Sequence, residues 1–227
     1  MVNSVQIRSE IAAFLESKRA SASCATARLV FALDATASRE PTWDIACDLQ
    51  SQMFSEVAAI GNLSIQLAYY RGIECRASGW MGNAHQLARL MRGIRCEAGK
   101  TQIDKVLRHV AREHERAPVA ALVFVGDAFE ESRDEVVTDA HELGLPAFLF
   151  QEGSLPAVEG AFREIARATG GAYGRFDNGA AKQLGELLRA VAAFAVGGRK
   201  ALASRKDEAS ARLLEQLKSA GGQGGSR

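Results

Sequence analysis

Apolar residues recur along this chain in two rhythms, one near 3.6 residues and one near two, and their alternation sets out the elements. Residues 5–18 carry apolar positions at helical spacing and predict an amphipathic helix. The run RLVFAL, 28–33, is apolar on both faces and ends at Asp34, as a strand buried inside a parallel sheet does. A helix is predicted from 43 to about 60, with Pro41 near its start, a usual place for proline. Leu63, Ile65, Leu67 and Tyr69 then alternate with smaller or polar residues, and Arg71-Gly72 offers a turn. This predicts a hairpin returning over 73–79, hence one antiparallel strand. Helices are predicted at 83–92, 102–115, 132–143, 158–169 and 180–196, and strands at 119–125, 147–150 and 172–176.

That order implies an α/β fold: a doubly wound, mostly parallel central sheet with one antiparallel strand and helices on both faces. The chain divides into an N-terminal helical extension (1–22), a central domain (23–197) and a C-terminal part (198–227). The last is an Ala/Lys/Arg/Glu-rich charged segment, 199–219, expected as a solvent-facing helix or a partner-binding tail, and a disordered GGQGGSR tail. In doubly wound sheets ligands bind outside the carboxyl ends of the strands, where strand order reverses. Attention therefore falls on the loops after Leu33 and Val125.

Charge narrows the partners. Lys plus Arg is 28 against 27 for Asp plus Glu, so nothing calls for nucleic acid or an anionic membrane surface. The longest apolar runs are too short to span a bilayer, and no signal-peptide core is present. Cys24, Cys47, Cys75 and Cys96 form no CxxC pair, which disfavours zinc and fits free thiols in a reducing compartment. The expectation is a cytoplasmic monomer.

Three loop segments hold the chemistry. Asp34-Ala35-Thr36-Ala37-Ser38 follows the first buried strand, Gly99-Lys100-Thr101 precedes a helix, and Gly126-Asp127 follows the second buried strand. Asp34, Thr36, Ser38, Thr101 and Asp127 together offer two carboxylates and three hydroxyls. Such all-oxygen donors suit Mg²⁺, with Mn²⁺ or Ca²⁺ as substitutes. Within DATAS, residues at i, i+2 and i+4 of an extended loop converge on one side.

The order D-x-T-x-S, a distant Thr before a helix and a strand ending in Asp resembles the von Willebrand factor A domain, over about 28–196. The IARATGGAYGRF ending looks like that family's last helix and strand. The resemblance implies a Rossmann-like fold and a metal-ion-dependent adhesion site. Ser38, Thr36 and Thr101 would touch the ion directly or nearly so, and Asp34 and Asp127 directly or through water. A partner protein's Asp or Glu would complete the shell, and a chaperone-like ATPase system is the kind of partner implied. The family's usual first motif is D-x-S-x-S; Thr36 keeps the hydroxyl and adds a methyl. Ala128 stands where glycine commonly follows the last Asp.

The letters Gly99-Lys100-Thr101 also end a phosphate-binding loop, but that motif needs four residues between its glycines. Five separate Gly93 from Gly99, and the segment follows a predicted helix instead of a strand. A hydrolase built on D-x-D-x-T would need a second Asp where Thr36 stands, and no Ser/His/Asp set is evident. The chain therefore reads as a non-enzymatic, metal-dependent protein-binding module. A metal-free scaffold is the alternative, and a Mg²⁺-dependent hydrolase the less favoured one. His85, His109, His114 and His141 read as structural or surface residues.

Overall fold

The computed structural model describes residues 26–41, 43, 63–177 and 181–221. The helices expected over 5–18 and 43–60, and the GGQGGSR tail, lie outside those residues, Trp43 and Gly221 apart.

Six strands form the sheet: β1 (Ala27–Asp34), β2 (Leu63–Arg71), β3 (Glu74–Ala77), β4 (Ala121–Gly126), β5 (Ala147–Glu152) and β6 (Ala172–Phe176). Their order is β3-β2-β1-β4-β5-β6. β2, β1, β4, β5 and β6 are mutually parallel, while β3 pairs antiparallel with β2 through the turn at Gly72, whose φ of 51° suits glycine. The helices are α1 (Ala84–Gly93), α2 (Ile103–Arg116), α3 (Arg133–Glu142), α4 (Pro156–Ala168), α5 (Ala181–Ser204) and α6 (Glu208–Gly221). Asn83 caps α1, its Oδ1 accepting from His85 N at 2.8 Å, and proline opens α4 where its missing N–H costs nothing.

The strands sort their side chains between two cores. Leu29, Phe31 and Leu33 face one layer with Met91 of α1, Leu184, Leu188 and Val191 of α5, and Leu213 and Leu217 of α6. Val30 and Ala32 face the other, with Val106 and Val110 of α2, Val136 of α3 and Phe162 of α4. This is the doubly wound α/β arrangement the alternation predicts.

Two features differ from expectation. β5 runs to Glu152, past the expected end at Phe150, because its two polar residues are satisfied inside. Gln151 accepts from Tyr173 OH at 2.7 Å and donates to Leu155 O at 3.0 Å, and Glu152 pairs with Arg39. The segment 199–219, expected to face solvent or a partner, instead packs on the domain. α5 breaks at Gly198 (φ 63°) and runs on to Ser204, and α6 folds back with Ala209, Leu213 and Leu217 buried. The Gln216 amide accepts from Tyr173 N at 2.9 Å and donates to Tyr173 O at 2.8 Å, so a side chain pairs the outer edge of β6.

Among the described residues no helix is long and apolar enough to cross a membrane. Cys75 and Cys96 are free thiols, and burial pushes Cys96 up to about 11, which makes it a poor nucleophile.

Candidate functional site at the carboxyl edge

The strand order reverses between β1 and β4, so the loops leaving these two strands part there and leave a crevice. Asp34 closes β1 on the side of Val30 and Ala32, fully buried. Its Oδ1 accepts from Thr36 N at 2.8 Å and its Oδ2 from Tyr70 OH at 2.9 Å. The Tyr70 contact is a product of register, since Asp34 and Tyr70 are opposite partners in β1 and β2. Tyr70 is held in turn against Phe124, ring centroids 6.1 Å apart. Burial, with a smaller contribution from Asp127, raises the Asp34 carboxyl above its ordinary range, while the bonds from Thr36 and Tyr70 pull it down.

From Asp34 the chain makes a short 3₁₀ turn, Ala37–Arg39. Thr36 is pinned beside Glu97 by a parallel bridge, with Glu97 N donating to Ala35 O at 3.1 Å. This brings three oxygens into a row. Thr36 Oγ1 lies 3.1 Å from Ser38 Oγ, and Ser38 Oγ donates to Asp127 Oδ1 at 3.2 Å. Thr36 is buried, whereas Ser38 is exposed and Asp127 half-exposed, so the row opens to solvent at its far end. Gly126 permits the approach of β4: a Cβ there would stand 2.9 Å from Phe124 Cε1 and 3.3 Å from Asp34 Cβ.

Asp34, Thr36, Ser38 and Asp127 are thus brought together. Thr101, just ahead of α2, is seated one step away, against the loop that follows Asp127. Its hydroxyl accepts from Glu130 N at 2.9 Å, and its own N–H donates to Glu130 Oε2 at 3.3 Å. Gly99 is explained by the neighbouring turn, since a Cβ there would lie 2.3 Å from Gly72 O. Glu131 answers the phosphate-loop question. Its carboxylate accepts from Ile103 N at 2.9 Å and Asp104 N at 2.8 Å, so the α2 N-terminus already holds an internal anion where a phosphate would bind.

Four side chains outside the motif residues also take part. Tyr70 falls between the alternating apolar positions 63, 65, 67 and 69 and the turn, where nothing local marks its hydroxyl. Arg39 is buried and paired with Glu152, with Asp127 and Asp34 the acidic neighbours whose charges favour its cationic form, while burial lowers its basicity. Glu130 and Glu131 fasten the β4–α3 loop to the start of α2.

The oxygen row fits a small hard cation. Neighbouring oxygens around Mg²⁺ with bonds of about 2.05 Å lie about 2.9 Å apart. The separations of 3.1 and 3.2 Å are close to that spacing. Among the described residues no group of three or more His, Cys, Asp or Glu side chains is placed to hold a metal, so a cation here would rest on two carboxylates and on hydroxyls.

The fold has clear counterparts among solved structures. A von Willebrand factor type A protein from Catenulispora acidiphila superposes with a TM-score of 0.61 at 16% identity, over 76% of this chain and 43% of that one. The fold is that of a von Willebrand factor A domain. BatB from Bacteroides thetaiotaomicron matches at TM-score 0.55 and 18% identity, over 70% of this chain and 96% of its own. The pilus adhesin SpaC from Lactobacillus rhamnosus GG matches at 0.60 and 10%, over 75% of this chain and 30% of its own. The chain thus spans less than half the length of the Catenulispora protein, and at these identities the likeness is one of fold. No protein-family model and no curated protein matches the chain.

Proposed function

We propose that this A domain is a divalent-metal-dependent protein-binding module that takes an Asp or Glu side chain of a partner. The observation that carries the reading is the row Thr36–Ser38–Asp127 at the strand-order reversal, two hydroxyls and a carboxylate at near-ligand spacing with its outer end open. Ser38, Thr36 and Asp127 would hold Mg²⁺, with Mn²⁺ or Ca²⁺ as substitutes. Asp34 sits behind them as a fixed negative charge. Thr101 joins through the lone pair its Glu130 contact leaves unused. When bound, the ion supplies an electrophilic position that an outside carboxylate can complete. The chain's own residues fix the donors and leave one face uncovered, which suits adhesion instead of turnover. The family resemblance points to chaperone-like ATPase systems as one source of such a partner.

Calorimetric titration with Mg²⁺ tests this. The whole chain should bind the ion, and Asp127→Ala or Ser38→Ala should weaken binding by about tenfold or more, the loss of one good ligand. Absence of heat at millimolar ion would sink the metal reading. One observation favours the second reading, a metal-free scaffold: Arg39 already places a buried positive charge near Asp34 and Asp127.

A further inference from the structure

We infer that the partner docks across the whole carboxyl rim of the sheet, anchored by Ile73 and Leu155 on either side of the oxygen row, with a basic side chain entering the cavity beside Asp127. This deepens the reading above and rests on it for the central contact. Among the described residues four large apolar side chains are exposed: Ile73 (90%), Leu155 (60%), Leu90 (44%) and Val196 (41%). The two most exposed share one rim. Because β2, β1, β4 and β5 are parallel neighbours, the loops after them line up in that order. Ile73 follows β2, Thr36 and Ser38 follow β1, Asp127 follows β4, and Leu155 follows β5. The anchors therefore flank the oxygen row at three strand spacings, about 14 Å.

Local chemistry explains neither anchor. A two-residue hairpin turn favours Gly, Asn or Asp, and a β-branched side chain there gains nothing from water. Leu155 occupies the N-cap of α4, a position that favours Ser, Thr, Asp or Asn, and no side-chain cap bond forms there. Both are held on fixed backbone. Gly72 O accepts from Gln102 Nε2 at 3.1 Å, and Leu155 O accepts from the buried Gln151. Apolar groups presented rigidly lose little freedom on binding, as interface anchors should.

A cavity of about 480 Å³ lies between the row and Leu155, lined among others by Ser38, Pro41, Asp127, Glu152 and Asp177. Its described lining holds three carboxylates and no Lys or Arg. Glu152 is paired with Arg39 and Asp127 belongs to the oxygen row, which leaves Asp177 as the carboxylate facing the space. The complementary occupant is a protein segment with a cationic side chain close to its ligating Asp or Glu and apolar residues outside both.

Selection from a display library of random peptides of about sixteen residues tests this, since such peptides span the rim when extended at about 3.3 Å per residue. Selection uses the full chain in Mg²⁺. Enriched peptides should combine an acidic, a basic and an apolar residue. Their affinity should fall about tenfold on Ile73→Ser and again on Leu155→Ser. Mg²⁺ titration of both variants should match wild type, and Leu155→Ser, which supplies a cap, should unfold at the same or a higher temperature. Asp177→Asn should relax the preference for the basic residue. Peptides that bind the Ile73 and Leu155 variants as tightly as wild type overturn the proposal while leaving the cation site standing. Peptides enriched without Mg²⁺ that still weaken on Ile73→Ser uphold the anchors and count against the cation instead. If no peptide is enriched, the rim is not a docking surface and the proposal falls.

Discussion

At the residue scale, His109 shows how one half-buried polar pair ties the sheet to pH. Its Nε2 lies 2.8 Å from Gln66 Oε1 of β2, and burial holds its basicity below the ordinary histidine range. Glu113 opposes that shift, while Arg112 and Arg116 reinforce it. A lowered value in the fold means stability that is full above about pH 6.5, the unfolded value, and is lost as pH falls through 6.5 toward the folded value. Urea unfolding of wild type should therefore weaken between pH 7 and 5 more steeply than that of His109→Gln, and parallel curves would remove His109 from the account. At this same scale spacing within DATAS and the strand-end position of Asp127 single out Asp34, Thr36, Ser38 and Asp127, and the fold places these four side by side. Tyr70 was not legible, because its hydroxyl matters only once parallel pairing sets it opposite Asp34. Arg39 and Glu152 are hidden for the same reason, being partners 113 positions apart that only the β1 and β5 loops bring together.

At the element scale the clearest lesson is Gly99. Its letters suggest a ligand loop, but its cause is steric: the backbone of the β2–β3 turn passes where a side chain would stand. The added methyl of Gly99→Ala would meet Gly72 O at 2.3 Å, a backbone atom that cannot swing away. The expected loss is about 2–4 kcal/mol in chemical denaturation, a strain cost. A loss under about 0.5 kcal/mol would show that the turn yields. Element types followed from periodicity throughout the described residues, because each strand and helix buries a face or both. The end of β5 did not, since Gln151 and Glu152 look like loop residues until their partners are known. The C-terminal segment misled for a compositional reason. Its many Lys, Arg and Glu residues outweigh the stripe Ala209, Leu213 and Leu217, yet three apolar positions four apart suffice to dock a helix.

At the scale of the whole molecule, α6 is part of the core it covers. A chain ending at residue 206 would uncover Leu202 and the inner face of α5 and leave Tyr173 N–H and C=O unpaired at the edge of β6. It should be less stable and should self-associate with rising concentration in light scattering, because an open strand edge recruits strands. A monomeric, equally stable truncation would show that α6 is dispensable. The opposite border, β3, is only four residues long and carries the Arg76–Glu74 ion pair at 2.7 Å, which blunts it in another way. With one border covered by an amide and the other short and charged, strand-by-strand addition finds no template. Should the rim dock a partner as proposed, the described domain offers that contact once, so strong attachment to a repetitive surface would need avidity from several copies arrayed together.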